Sequence, residues 1–177
     1  IGRWKMLDNL RRTLSAPAAL LTLLAGWLVL PHSAWLWTGF ILAVIAIPAL
    51  LPFLVGLKPQ LRGISKRSHF RGKLTDLSVG ASHIGLTVTL LTYQAWLMSD
   101  AILRTCIRLL VTHRNFLEWV TAAQSKSAAD SRLSSVYRRM AGGVVLAIGI
   151  VAILSVAHYS SWAPAALFIV PWILSPA

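Results

Sequence analysis

Two long runs without charged residues lie on either side of a mixed central region. Residues 13–57 and 140–177 contain no Asp, Glu, Lys or Arg. A membrane-crossing helix needs about 20 predominantly apolar residues, so each run is long enough for two crossings. Residues 31–33 and 158–161 supply the turns, because proline and small polar residues interrupt helices. We therefore predict four spans, at residues 15–31, 34–57, 141–157 and 162–175.

This division predicts an all-α integral membrane protein. Its four transmembrane helices form two hairpins, with interfacial amphipathic helices between them. The hairpins occupy residues 15–57 and 140–177. A basic cytoplasmic segment, 1–14, precedes the first hairpin, and a cytoplasmic or interfacial helical region, 58–139, separates the two.

A third uncharged run, residues 77–99, leaves two alternatives open. Its 23 residues are enough to cross a bilayer. It also contains His83, Gln94 and several hydroxyl side chains, so it is less apolar than the four predicted spans. We favour an interfacial or half-buried helix. A crossing would instead move the positive residues of 104–139 to the other face of the membrane, or would require another crossing.

A basic amphipathic helix is predicted directly after this run. Asp100, Arg104 and Arg108 recur every four residues and therefore share one helix face. Such a helix is suited to lying on the cytoplasmic leaflet, and equally suited to packing against a soluble domain. Juxtamembrane basic residues attract anionic lipid headgroups. The candidate headgroup-binding residues are Arg104, Arg108, Arg114, Arg138 and Arg139.

The net charge is informative mainly through where the positive residues lie along the chain. The chain carries 17 Lys and Arg against 5 Asp and Glu, a net charge of +12, which is typical of nucleic-acid-binding proteins. However, 56% of its 177 residues are hydrophobic and the positive residues lie in blocks between apolar runs. We therefore predict the lipid bilayer and its anionic lipids as partners, and no nucleic acid.

The same distribution predicts an orientation. Neither predicted turn contains Lys or Arg, so the positive-inside rule places both chain ends and the central region in the cytoplasm. Tryptophans favour the membrane–water interface, and four of them lie near the proposed external turns. These are Trp27, Trp35, Trp37 and Trp162. Glycines in the third span, at 142, 143 and 149, favour close helix contact.

The sequence contains no recognisable catalytic, cofactor-binding or metal-binding motif. Cys106 is the only cysteine, and the five histidines are scattered without metal-ligand spacing. None of the five acidic residues lies within a predicted span, which argues against an ion or proton transporter.

Two stretches carry a resemblance to a known family. They are KMLDNLRR with the APA that follows, in residues 5–18, and THRNFLEWVTAAQ, residues 112–124. Neither is a generic membrane pattern. With them, most of the chain resembles the cyclic β-1,2-glucan synthases.

This resemblance implies a segment of a very large inner-membrane enzyme of Gram-negative bacteria. Such enzymes polymerise glucose from UDP-glucose, and their glycosyltransferase domain precedes a membrane portion like this one. UDP-glucose and glucan would then be partners through that domain, which would also hold the divalent metal and the catalytic residues. A chain that begins with Ile1 and stops in an apolar run at Ala177 is what we expect of such a segment.

The resemblance also draws attention to the tyrosines, because the family is thought to grow its glucan on a protein-linked primer. The predicted topology makes Tyr93 and Tyr137 reachable from the cytoplasm and places Tyr159 outside. Packing or an interfacial position explains each of them better. Two other hypotheses stay open for the chain: a stand-alone membrane scaffold or assembly subunit, and a small transporter.

Overall fold

A computed structural model describes residues 2–56, 66–113, 133–157 and 161–176. All regular structure in these residues is helical, which confirms the all-α prediction. A 3-10 turn at Pro31–Ser33 and a π-helical turn at Arg108–Thr112 accompany five helices. The helices are α1 (Gly2–Leu28), α2 (Ala34–Val55), α3 (Lys66–Ile107), α4 (Leu133–Ala157) and α5 (Trp162–Leu174).

Helices α1 and α2 form a helical hairpin. Pro31 begins the connecting turn, where its fixed backbone angle and missing N–H favour a new helical start. Below the turn, Trp27 Nε1 donates to Thr38 Oγ1 at 2.9 Å. Gly26 lies so close to Trp37 that a Cβ atom on the glycine would be 2.5 Å from the tryptophan Cβ.

Helix α3 returns antiparallel to α2. Gly56, at the end of α2, lies beside Lys73 near the start of α3. Farther along, a Cβ atom on Gly80 would lie 2.9 Å from the carbonyl oxygen of Ala49. The absence of a side chain at Gly80 therefore lets the two helix backbones approach closely.

Helix α3 is also the centre of the bundle, because it contacts α1, α2, α4 and α5. The core is apolar and draws on all five helices. Its largest fully buried side chains include Trp27, Trp172, Phe168, Leu23 and Leu154. Trp27 was expected at the membrane–water interface, but its ring is fully buried between helices, whereas Trp35 remains 60% exposed.

Helix α4 packs on α3 through glycines. A Cβ atom on Gly143 would lie 2.8 Å from the Cα atom of Tyr93, and Gly142 is in close contact with Trp96. The predicted close packing is confirmed for these two glycines. It is wrong for Gly149, which has open space around the position of a Cβ atom.

Within the described parts of the chain, three helical segments are long and apolar enough to cross a membrane: Pro31–Val55, Phe70–Thr112 and Met140–Ala157. Helix α5 is shorter, and α1, which carries five charged residues before residue 13, is not among the three. The four-span arrangement in two hairpins is therefore not confirmed.

Residues 77–99, for which an interfacial helix is favoured from the sequence, lie within Phe70–Thr112, one of the segments long and apolar enough to cross a membrane, and the interfacial placement stays a prediction. This run forms the middle of α3, the helix that contacts α1, α2, α4 and α5. Its hydroxyl groups made it look polar in the sequence. Three of them, at Ser82, Thr87 and Thr89, instead donate to carbonyls of their own helix, as does Thr75 just before the run.

Several predictions lie wholly or partly outside the described residues. The N-terminal part of the region 58–139, the stretch 114–132 with Arg114, and Tyr159 in the second turn belong to this group. The cytoplasmic assignment of segment 1–14 and of the central region stays a prediction.

Candidate membrane interface

The charged residues of α3 lie at its two ends. Between Asp76 and Asp100 the helix has 23 uncharged residues, or about 34 Å at a rise of about 1.5 Å per residue. This length matches the hydrocarbon core of a bilayer, about 30 Å. Each aspartate is paired within the helix: Lys73 Nζ lies 2.6 Å from Asp76 Oδ2, and Arg104 Nε lies 2.9 Å from Asp100 Oδ1.

A first basic group lies at the Lys73 end of α3. Because α1 and α2 form a hairpin and α2 ends beside Lys73, the start of α1 belongs to this same end. The positive residues on this part of α1 are Arg3, Lys5, Arg11 and Arg12. Trp4 is 77% exposed among them, so this end combines positive charge with an accessible aromatic ring.

An ion-paired cluster organises the first turns of α1. Asp8 accepts from Arg11 Nη2 at 3.0 Å and from Arg12 Nε at 2.8 Å. These hydrogen bonds, first that of Arg11 and then that of Arg12, hold the pKa of the Asp8 carboxyl below its ordinary value of 3.8. Two guanidiniums share one carboxylate, so the cluster keeps a net positive charge.

A second basic group lies at the opposite end of α3. Arg104 is exposed, and Arg108 begins the π-helical turn and is half-buried. On α4, Arg138 is exposed one turn before the Gly142 contact with Trp96, and Arg139 follows it in the helix. The structure therefore brings four of the five predicted headgroup-binding residues to one end of the α3–α4 pair. Arg114 lies outside the described residues.

The two basic groups are far apart. Lys73 and Arg104 are 31 residues apart on one continuous helix, about 46 Å along its axis. The sequence analysis placed both groups on the same face of a membrane. That placement requires α3 to lie along the surface. In the structure α3 packs antiparallel along the apolar helix α2, with Gly56 beside Lys73 and Gly80 beside Ala49.

The described residues offer little catalytic chemistry. Within them, no group of three or more His, Cys, Asp or Glu side chains could hold a metal ion. Tyr93 is half-buried with its backbone against Gly143, and Tyr137 is 49% exposed on α4.

Sequence reasoning missed the polar contacts that attach α5 to the bundle. Ser161 Oγ donates to the carbonyl of Trp27 at 2.9 Å, and Trp172 Nε1 donates to the carbonyl of Val88 at 2.9 Å. The partners are 134 and 84 residues apart, so no local spacing could reveal them. Around them, the rings of Trp27, Phe168 and Trp172 lie with centroids 5.6–6.2 Å apart.

No family model matches the chain. One protein of known activity is similar to the whole of this chain, with 30% identity over 178 residues and 100% of the chain covered. It is the cyclic β-(1,2)-glucan synthase NdvB of Rhizobium meliloti (strain 1021). The chain spans about 6% of the length of NdvB. The resemblance predicted from the sequence is thus confirmed, and it concerns one small segment of a much larger protein.

Proposed function

We propose that this chain is the membrane-embedded portion of a cyclic β-1,2-glucan synthase of the inner membrane, which anchors a glycosyltransferase domain that uses UDP-glucose. The observation that carries the proposal is the similarity to NdvB along the entire chain. The three helices long and apolar enough to cross a membrane support the anchoring role. The catalytic residues and any divalent metal belong to the transferase domain.

In this proposal α2 and α3 cross the bilayer as antiparallel neighbours. The Lys73 end faces the cytoplasm, because 10 of the 17 positive residues lie in 1–73 and 7 in 104–139. The second basic group then lies at the other face of the membrane. At both faces the arginines hold anionic headgroups, each worth roughly 1 kcal/mol near the surface.

The enzyme assignment is tested with membranes that contain the full polypeptide. We expect these membranes to transfer labelled glucose from UDP-glucose into a cyclic β-1,2-linked product. Gly143→Leu, which forces α4 away from α3, should lower product formation severalfold, and Gly149→Leu should not, because Gly149 has open space. Membranes that make no β-1,2-linked glucan would refute the proposal. Undiminished synthesis by a polypeptide lacking this segment would refute the anchoring role.

A further inference from the structure

Thr92 departs from the behaviour of the other threonines in the described helices. Each of those in an α-helix donates its hydroxyl to the carbonyl four residues earlier, at 2.8–3.2 Å. Thr112, in the π-helical turn, donates to the carbonyl of Ile107, five residues earlier. Thr92 is fully buried, yet its Oγ1 has no hydrogen-bond partner among the residues that the structure describes. A buried hydroxyl without a partner costs about 1–3 kcal/mol, so its isolation needs a cause.

The cause is the indole of Trp172. The carbonyl four residues before Thr92 is that of Val88, and it accepts Trp172 Nε1 at 2.9 Å. In α-helix α3 the same carbonyl also accepts the backbone N–H of residue 92. A carbonyl oxygen has two lone pairs, and these two donors use both. Docking of α5 therefore excludes the Thr92 hydroxyl from its ordinary acceptor.

We propose that α5 is a reversible strap on α3, and that Trp172 and Thr92 exchange the Val88 carbonyl as the strap opens and closes. With α5 docked, the indole holds the carbonyl and the Thr92 hydroxyl is unpaired. With α5 released, the hydroxyl rotates onto the carbonyl, as the other threonines do. The gain of one hydrogen bond on docking is thus offset by the loss of another.

The geometry of α5 suits such a strap. It has 13 residues. Among the described residues, side-chain hydrogen bonds connect it to the rest of the bundle at Trp172 and at Ser161, which directly precedes it. Its remaining attachment is apolar, through the packing of Phe168 and Trp172 on Trp27. Apolar packing of this kind loses little when a helix moves from protein to lipid, because lipid tails are also apolar. All of these contacts are within the helix bundle, so opening of the strap is independent of glucan chemistry.

The test measures how often α5 leaves α3. Ala165 on α5 is fully buried, so a cysteine at this position reacts with maleimide only when the strap is open. Ala165→Cys is placed in a Cys106→Ser background of the full polypeptide in lipid nanodiscs. Thr92→Val removes the competing hydroxyl and should slow modification about fivefold, the worth of one net hydrogen bond. Thr89→Val, whose hydroxyl donates to Gly85, should leave the rate unchanged.

A double-mutant cycle separates exchange from simple repacking. In a Trp172→Phe background there is no indole to compete with, so Thr92→Val should no longer slow modification. The same slowing in both backgrounds, or no slowing in either, would overturn the proposal. If Trp172→Phe does not fold, the modification rate of Thr92→Ser tests the exchange instead. This variant keeps the hydroxyl and should react at the wild-type rate, whereas a rate as slow as that of Thr92→Val would contradict the exchange.

Discussion

At the scale of single residues, the contact between Gly143 and Tyr93 brings the backbones of α4 and α3 close together. A Cβ atom on Gly143 would lie 2.8 Å from the Tyr93 Cα and 2.9 Å from its N atom. Backbone atoms cannot rotate away as a flexible side chain can. A larger residue at this position must therefore separate the two helices.

We expect Gly143→Leu to lower stability by about 1–3 kcal/mol, the usual cost of overpacking. Gly149→Leu is the matched control on the same helix and should change stability little, because its Cβ position is open. Thermal unfolding in detergent, followed by circular dichroism, compares the two. Equal melting temperatures for both variants would show that the α3–α4 contact does not form.

The Asp8 cluster predicts a pH dependence at the start of α1. Hydrogen bonds from Arg11 and Arg12 lower the folded-state pKa of Asp8. The stability that its ionised carboxylate contributes is therefore complete above the unfolded value of 3.8. It is lost as the pH falls through the lowered folded pKa. Carboxyl titration by NMR should show Asp8 titrating below 3.8, and Arg12→Gln should move its pKa back toward that value. Arg3→Gln should have much less effect, and an equal shift would show that general positive charge, not the cluster, is responsible.

At the scale of elements, α3 decides the topology. The sequence analysis treated residues 77–99 as interfacial because of His83, Gln94 and the hydroxyl side chains. In the structure these residues belong to α3, a continuous helix of 42 residues. Its Gly80 packs closely against α2. Local hydropathy could not reveal this packing, because it depends on which helix lies opposite.

Cys106 is a native reporter for this element. It is exposed, two residues beyond Arg104 and outside the uncharged run of α3. If α3 crosses the membrane with its Lys73 end inside, a membrane-impermeant maleimide should label Cys106 in intact spheroplasts. Gly72→Cys in a Cys106→Ser background should be labelled only in inverted vesicles. Any other cysteine of the polypeptide is replaced first. The reverse pattern would invert the orientation, and labelling of both positions from the cytoplasmic face would restore the interfacial placement.

How much of the fold the sequence could predict differs from element to element. The span predicted at 34–57 corresponds to α2, Ala34–Val55, and that at 162–175 to α5, Trp162–Leu174. These limits are clear because proline, small polar residues or charge mark them. The burial of Trp27 and the Trp172–Val88 hydrogen bond were not predictable, because they depend on contacts between residues distant in the sequence. The headgroup-binding role of the arginines stays a prediction, although four of them now share one end of the α3–α4 pair.

At the scale of the whole molecule, the second basic group makes a prediction about lipid binding. If its arginines hold anionic headgroups, charge reversal at Arg104 and Arg108 should weaken the association with anionic lipid by roughly 1 kcal/mol or more per residue. The measurement is the retention of labelled phosphatidylglycerol by the protein in nanodiscs. Arg104→Gln with Arg108→Gln, which removes charge without reversing it, should have an intermediate effect. Retention that is independent of these charges would leave the second basic group without a lipid role.

If α3 crosses the bilayer as proposed, its uncharged length also makes its tilt depend on the thickness of that bilayer. A run of about 34 Å fits a hydrocarbon core of about 30 Å when the helix tilts by about 28°, within the range seen for membrane helices. In a thicker bilayer the helix stands more upright, and in a thinner one it leans further. The segment beyond Asp100 is continuous with the span, so it turns with it. The acyl-chain length of the lipids therefore sets the angle at which the second basic group meets the membrane surface.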